Sequence, residues 1–225
     1  MVYDFHCHTN LSDGALTAIE LIRRAHRAGY KAIALTDHIG QGGLQRVLAE
    51  IIHDCALARE HWNILAIPGV ELTHLPVEAI AETARQAKKM GAWMVIVHGE
   101  TTAEPVEKNT NKAALQCQNV DILAHPGLLT LEEAKLAAAN NIFLELSARK
   151  GHCLSNGHIA NLARQAGARL LVNSDAHQPD DLLSARVASY VAQGAGLNRE
   201  SCKQVLTLNP KLLIQRLNIS DIVRD

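Results

Sequence analysis

The sequence predicts an α/β fold in one domain, a distorted (β/α)7 barrel of the TIM type, on three observations. Seven short apolar segments recur along the 225 residues, most of them do not alternate with polar residues, and helix-like segments separate them. Such apolar strands are typical of parallel sheets covered on both faces. Alternating strands and helices in a chain of this length favour a barrel. An open doubly wound sheet is the alternative, because periodicity does not distinguish the two.

Each apolar segment begins the chain or follows a predicted helix. The seven strand candidates cover approximately residues 2–6, 32–35, 64–70, 93–97, 120–124, 142–146 and 170–172. Thr17 with Glu20, and Thr130 with Glu133, form capping-box patterns that predict helix starts. The predicted helix ends include Gly29, Gly91 and Gly167. Residues 199–225 are predicted to form one or two helices that complete the outer layer, and no linker divides residues 1–225.

Composition excludes several classes of protein. The formal net charge is −1 and aromatic residues make up 3% of the chain, which argues against broad binding to nucleic acid or to anionic membranes. The five cysteines contain no CxxC pair, so we expect reduced thiols rather than disulfides or a zinc finger. No signal-peptide pattern and no long apolar run is present, which predicts a cytoplasmic protein.

The chain contains twelve histidines, and many of them stand with carboxylates at the ends of the predicted strands. The residues at these ends are His6, His8, Asp13, His38, Glu71, His98, His125, Asp175 and His177. The C-terminal ends of parallel strands converge on one site in barrels and open sheets alike, so we expect these side chains to be neighbours. Gathering so many polar groups in one place is costly unless something pairs with them. Imidazole and carboxylate ligands suit zinc, manganese and iron, so the pattern predicts two or three divalent metal ions. A hydrogen-bonded structural role is the alternative for each residue alone.

The motifs that carry these residues resemble the PHP (polymerase and histidinol phosphatase) family of metal-dependent phosphoesterases. In chain order they are Asp4-Phe5-His6-Cys7-His8-Thr9, Ser12-Asp13-Gly14, Thr36-Asp37-His38, Pro68-Gly69-Val70-Glu71, Val97-His98-Gly99, Ala124-His125-Pro126-Gly127 and Ser174-Asp175-Ala176-His177. The resemblance extends from residue 4 to residue 177. It implies a distorted seven-stranded (β/α) barrel, the PHP fold, with a trinuclear metal site.

The resemblance also implies how the ligands are shared among three metals. It implies a first metal on His6, His8, Glu71 and Asp175, a second on Glu71, His98 and His125, and a third on Asp13, His38 and His177. Phosphatase-like members of the family often carry histidine where this chain has Asp13. A hard oxygen ligand there favours manganese or iron over zinc in the third site.

The expected reaction is hydrolysis of a small phosphomonoester, histidinol phosphate or a related ester, by attack of metal-bound hydroxide. The expected catalytic residues are Glu71, Asp175 and His177, with Asp175 or His177 passing a proton to the leaving alkoxide. The loop after the sixth strand contains Arg149 and Lys150, which we expect to bind the phosphate. A solvated basic loop is the alternative for this pair.

Two aspartates next to the motif histidines are harder to interpret. Asp4 is predicted either to orient a ligand imidazole or to accept hydrogen bonds from backbone donors. Asp37 should face away from His38 if the strand continues through both.

Three other functions stay open. The chain could be a nuclease or phosphodiesterase, since PHP modules also accompany DNA polymerases. It could be a metallo-amidohydrolase, although no lysine ends a predicted strand, or a non-enzymatic metal-binding module. The neutral charge and the complete ligand set favour the phosphomonoesterase.

Overall fold

A computed structural model of the protein describes residues 1–217, and its centre is a parallel sheet that is nearly closed into a barrel. The strands are β1 (Val2–Asp4), β2 (Tyr30–Leu35), β3 (His38–Ile39), β4 (Leu65–Leu72), β5 (Met94–His98), β6 (Ile122–Ala124), β7 (Phe143–Ser147) and β8 (Leu170–Asn173). Their order is β1-β2-β4-β5-β6-β7-β8, with the short β3 paired to β4, and every pair is parallel. The predicted barrel and all seven predicted strands are confirmed, whereas the two-residue β3 was not predicted.

The barrel is distorted where β1 meets β8. These two strands are joined by a single parallel bridge between Cys7 and Ala176, just beyond the strand ends. Side chains connect the rest of this seam: the Phe5 amide donates to Asn173 Oδ1 at 3.0 Å, and the Ser174 amide donates to Asp4 Oδ1 at 3.0 Å. The seam therefore holds together the two segments in which four of the predicted ligands lie.

Helices cover the outside of the sheet. They are α1 (Ala18–Arg27), α2 (Leu44–His61), α3 (Ile80–Lys89), α4 (Thr110–Gln116), α5 (Leu131–Ala139), α6 (Asn156–Ala166), α7 (Ala185–Gly194), α8 (Arg199–Lys203) and α9 (Asn209–Arg216). The reciprocal capping box is present at Thr130 and Glu133, while at Thr17 only the side chain caps, accepting from the Glu20 amide. Residues 218–225 of the predicted C-terminal helices lie outside the described residues.

The strands bury both of their faces, which explains the non-alternating apolar pattern. Ile33 and Leu35 pack outward against the helices, whereas Ala32 and Ala34 belong to a second cluster inside the barrel. Leu213 of α9 packs in this inner cluster, and α9 is fastened to the first residue of β8 through Asn209, which donates to the Leu170 carbonyl at 2.8 Å. This helix therefore lies at the amino-terminal end of the barrel and leaves the carboxyl end for the site.

None of the helices described in residues 1–217 is long and apolar enough to cross a membrane.

Candidate metal centre

The nine predicted ligands converge at the carboxyl end of the barrel. His6 and His8 follow β1, Glu71 and His98 lie within β4 and β5, and Asp175 follows β8. The remaining predicted ligands are Asp13, His38, His125 and His177. All of the nine are buried except His38, which is half-buried, and Asp13, which is exposed. Strand direction therefore places residues that are more than 160 positions apart in sequence at one site.

Glu71 occupies the centre of this cluster. Its Oε2 lies 2.7 Å from His38 Nδ1 and 3.3 Å from His6 Nε2, and its Oε1 lies 3.4 Å from His125 Nε2. Burial opposes ionisation of Glu71, but His6 and His38 outweigh it and hold the pKa of the carboxyl group well below its usual value. An ionised carboxylate with imidazoles on both oxygens is suited to bridging two metal ions.

Asp175 faces the same imidazoles from β8. Its Oδ1 lies 3.2 Å from His8 Nε2 and 3.7 Å from His6 Nε2, and its Oδ2 lies 3.6 Å from His125 Nε2. Burial raises the pKa of Asp175 to about 6. Asp175 and His125 both have positive φ values, 55° and 26°, a conformation that non-glycine residues rarely adopt. Backbone strain of this kind is concentrated at functional sites.

A third group of donors lies nearest the solvent. His177 Nε2 is 3.1 Å from Asp13 Oδ2, and His38 Nε2 is 3.8 Å from the same oxygen. Ligand atoms of His8, Asp13, His38 and His177 all lie within 4.8 Å of one another. Partial burial opposes ionisation of Asp13, but the nearby His177 and His38 outweigh it and lower the pKa of the Asp13 carboxyl group.

Asp37 positions the turn that carries Asp13. Its Oδ1 accepts from the Thr9 amide at 2.8 Å and from the Ser12 hydroxyl at 2.6 Å, and its Oδ2 accepts from the Thr9 hydroxyl at 2.8 Å. Asp37 thus faces away from the metal ligands, as its place beside His38 predicted.

Several buried nitrogen and oxygen atoms of the cluster have no hydrogen-bond partner among the described residues, which fits a role as metal ligands. Within residues 1–217, several ligand atoms are buried and make no hydrogen bond: His6 Nε2, both ring nitrogens of His8, both oxygens of Glu71, His125 Nδ1, Asp175 Oδ1 and His177 Nε2. Leaving so many buried polar atoms unpaired is costly. Divalent ions would pair with them, and the mixture of imidazole and carboxylate donors suits zinc, manganese or iron.

His98 takes a different position from the other predicted ligands. Its Nδ1 lies 3.1 Å from the Gly99 carbonyl, and its Nε2 lies 3.3 Å from Glu104 Oε2 rather than facing Glu71. Glu104 belongs to the loop after β5, which folds over the cluster. Burial lowers the pKa of His98 to about 4.

Glu145 is a site residue that the motifs did not reveal. It is fully buried on β7, and its Oε2 lies 2.8 Å from His6 Nδ1 and accepts from Asn173 Nδ2 at 2.8 Å. The orienting carboxylate of His6 is therefore Glu145. Asp4 instead accepts backbone donors, Ser174 at 3.0 Å and His6 at 3.5 Å, which was the other interpretation of this residue. An acidic residue inside an apolar strand was the sequence signal for Glu145.

His152 also lies in the cluster, although the sequence suggested only a loop position. It is 2% exposed and its ring centroid is 4.2 Å from that of His125. Burial lowers its pKa to about 3, so the ring is neutral. No motif identifies it, because it comes five residues after Ser147, the end of β7.

The two predicted phosphate-binding residues line a cavity of about 490 Å³, whose lining also includes Ser174, the residue before the predicted ligand Asp175. Arg149 is half-buried, and its Nη1 donates to His177 Nδ1 at 2.6 Å, while Lys150 is exposed at the rim. Asp180 and Leu182 also line the cavity. Helix α6 begins at Asn156, whose side chain is hydrogen-bonded to the Ser147 backbone of β7.

Comparison with known proteins agrees with this geometry. The chain matches the PHP domain family over residues 4–150. An uncharacterized protein of Methanocaldococcus jannaschii is 43% identical over 222 residues, which cover 96% of this chain and all of that protein. A probable phosphatase of Caldanaerobacter subterraneus subsp. tengcongensis is 31% identical over 203 residues, which cover 79% of this chain and 76% of the phosphatase.

Two further similarities concern nucleic-acid enzymes and the fold. The DNA polymerase/3'-5' exonuclease PolX of Bacillus subtilis is 29% identical over 193 residues, covering 77% of this chain but 34% of PolX. A solved structure from the metal-dependent tyrosine phosphatases YwqE of Bacillus subtilis and CpsB of Streptococcus pneumoniae superposes with a TM-score of 0.62 at 18% identity. It covers 95% of this chain and 94% of that chain, which confirms the fold.

Proposed function

The chain belongs to the PHP domain family, and from that premise we propose that it is a metal-dependent phosphatase that hydrolyses a small phosphomonoester. The observation that carries the proposal is the set of buried, unpaired imidazole and carboxylate atoms at the carboxyl end of the barrel. Metal ions bound there would lower the pKa of a water molecule and neutralise charge on the phosphoryl oxygens.

The proposed metal ligands are the nine residues at the strand ends. Glu71 would contribute to two ions, because both of its oxygens face imidazoles. Asp13, His38 and His177 would hold the outermost ion, where the exposed carboxylate of Asp13 favours manganese or iron. His6, His8 and Asp175 would hold the innermost ion.

Arg149 is proposed to bind the phosphate. When His177 uses Nε2 as a ligand, its proton resides on Nδ1 and can be donated to the Asp175 carbonyl, 3.0 Å away. The present donation from Arg149 to Nδ1 is then lost, which frees the guanidinium for phosphoryl oxygens. Lys150 lies at the rim of the same cavity and would add a second positive charge.

Asp175 or His177 is proposed to supply a proton to the leaving alkoxide, and Glu71 to act through the water it helps to position. Of these three residues, His177 is the most exposed, at 7%. Proton delivery by a positioned side chain typically accelerates hydrolysis by about 10²–10⁴-fold.

The cavity favours a small substrate. A volume of about 490 Å³ lies in the ordinary range for small-molecule sites. The acidic Asp180 and the apolar Leu182 line the same cavity as Arg149, which supports an ester whose organic part carries a positive charge, as in histidinol phosphate or a related amino alcohol phosphate.

A substrate panel tests the proposal. Protein stripped of metal and reloaded with manganese, zinc or iron is offered p-nitrophenyl phosphate, histidinol phosphate, nucleotides, single-stranded DNA and amides. We expect monoester hydrolysis that requires metal and is abolished together with metal binding in Glu71→Ala. Arg149→Gln should raise KM by roughly ten- to a hundredfold, the loss of one charge-assisted contact. Full turnover by metal-free protein would overturn the mechanism.

A nuclease is the second candidate, because PolX is among the relatives. The chain covers only a third of PolX, and its net charge of −1 provides little attraction for a polyanion. Cleavage of single-stranded DNA without hydrolysis of monoesters in the same panel would favour this function instead.

A further inference from the structure

His152 has a buried nitrogen that no atom of the described residues satisfies. The residue is 2% exposed, and its Nδ1 makes no hydrogen bond to any atom of residues 1–217. Burying an imidazole nitrogen without a partner costs free energy that solvation would otherwise supply. Most buried polar groups in proteins are paired, and a bound cation would supply the partner that residues 1–217 do not.

The atoms around His152 form a donor set for a cation. One ligand atom each of His125, His152 and Asp175 lie within 4.8 Å of one another. His125 Nε2 is also 3.4 Å from Glu71 Oε1 and 3.6 Å from Asp175 Oδ2. His125 therefore belongs both to the group with His152 and Asp175 and to a second group with His6 and Glu71, while His98 faces Glu104.

We propose that His152 is a ligand of the ion held by His125 and Glu71, and that Glu104 is its orienting carboxylate. This assignment rests on the proposed metal-dependent function and adds a ligand that none of the motifs contains. Glu104 Oε1 lies 3.7 Å from His152 Nε2, on the opposite side of the ring from the unpaired Nδ1. A carboxylate behind a ligand imidazole commonly fixes the ring and its tautomer.

The backbone holds His152 in place for this role. Gly151 has a φ of 90°, which favours glycine, and starts the short turn that runs from His152 to Ser155. The Cys153 amide donates to the Arg149 carbonyl at 3.0 Å, which closes that turn. A side chain at position 151 would meet Ala103 at 3.0 Å, so this turn packs against the loop that carries Glu104. Ligand and orienting carboxylate thus come from two loops in contact.

An additional nitrogen donor has a consequence for metal choice. Imidazole favours zinc and iron, whereas manganese accepts oxygen-rich sites more readily. The ion beside His152 should therefore prefer zinc or iron, in contrast to the outermost site, where Asp13 supplies an exposed oxygen.

Metal titrations of His152→Asn, His98→Asn and His74→Asn test the assignment. His74 is the matched control, because its ring stacks 6.0 Å from His98, it is exposed, and asparagine tolerates its φ of 53°. Metal-free proteins are titrated with Zn²⁺ and with Mn²⁺ against a chromophoric chelator. We expect His152→Asn to raise the Kd of one zinc ion at least tenfold and to raise the Kd of manganese by less. We expect the Kd values of His74→Asn to match those of the wild type. Unchanged zinc binding by a folded His152→Asn protein would overturn the assignment, as would loss of that ion in His98→Asn alone.

Anomalous scattering from zinc-loaded wild-type crystals tests the same point without a variant. A zinc ion about 2.0–2.1 Å from a His152 nitrogen is the expected result. Zinc in the cluster but bonded to His98 in place of His152 would refute this inference and leave the proposed function intact. A cluster without metal in active protein would refute both.

Discussion

Replacing Glu145 tests whether the orientation of His6 controls metal affinity. Glu145 and Asp4 are both fully buried carboxyl groups beside His6. Only Glu145 contacts the imidazole, at 2.8 Å from Nδ1, which leaves Nε2 turned toward Glu71 at 3.3 Å. Glu145→Gln keeps the shape and an acceptor oxygen but removes the negative charge. We therefore expect weaker metal binding without loss of the fold.

The magnitude follows from the hydrogen bond that is weakened. A hydrogen bond to a charged group contributes about 1.5–3 kcal/mol and a neutral one about 1 kcal/mol. The substitution should therefore cost about 0.5–2 kcal/mol of metal-binding free energy, which is roughly a two- to thirtyfold increase in Kd. That range overlaps the roughly 10–100-fold losses typical of carboxylates that orient ligand histidines.

The assay is a zinc titration of metal-free protein against a competing chelator. The control is Asp4→Asn, which removes an equally buried carboxyl group that accepts the Ser174 amide rather than the ring. Burial already raises the pKa of Asp4 to about 6, so its charge is partly lost near neutral pH. We expect Asp4→Asn to leave the zinc Kd close to that of the wild type. Equal losses in the two variants, or none in Glu145→Gln, would refute the orienting role.

Three further outcomes are expected. Burial opposes protonation of His6, but Glu145, Glu71 and Asp175 outweigh it and raise the pKa of the ring well above its usual value. Metal binding at pH 7 should therefore release a proton and become stronger as the pH rises. Calorimetry in buffers of different ionisation enthalpy measures the number of protons released, and a value of zero would contradict the prediction. Gly127→Ala should lower the free energy of unfolding in urea by more than about 2 kcal/mol, because φ is 62° and the added Cβ would lie 2.0 Å from the Glu100 carbonyl oxygen. Gly157→Ala is the control: no atom of residues 1–217 crowds a Cβ at that position, so this variant should be neutral or stabilising. Thr130→Ala should cost about 1 kcal/mol of unfolding free energy by removing the α5 cap, with no change in metal Kd; a shifted Kd would show that α5 is coupled to the site.

The sequence by itself determined the architecture and the composition of the ligand cluster. Short apolar strands buried on both faces recur between helices, and that periodicity is local, so the seven principal strands could be located directly. The common direction of the strands then determined where the ligand residues meet, because the last residues of parallel strands all lie at one end of the barrel. His6 and Asp175 could be predicted as neighbours for this reason, although the chain between them spans almost the whole barrel.

Contacts between loops were decided only by the tertiary structure. His152 and Glu104 lie beyond their strand ends, where no periodicity constrains the direction of a side chain. Glu145 could be read as acidic and buried, but its pairing with His6 Nδ1 depends on how the β1–β8 seam closes, and that seam is held by side chains rather than by a regular ladder. The proposed role of His152 as a metal ligand depends on these same loops, since loop packing orients side chains through contacts among residues distant in sequence.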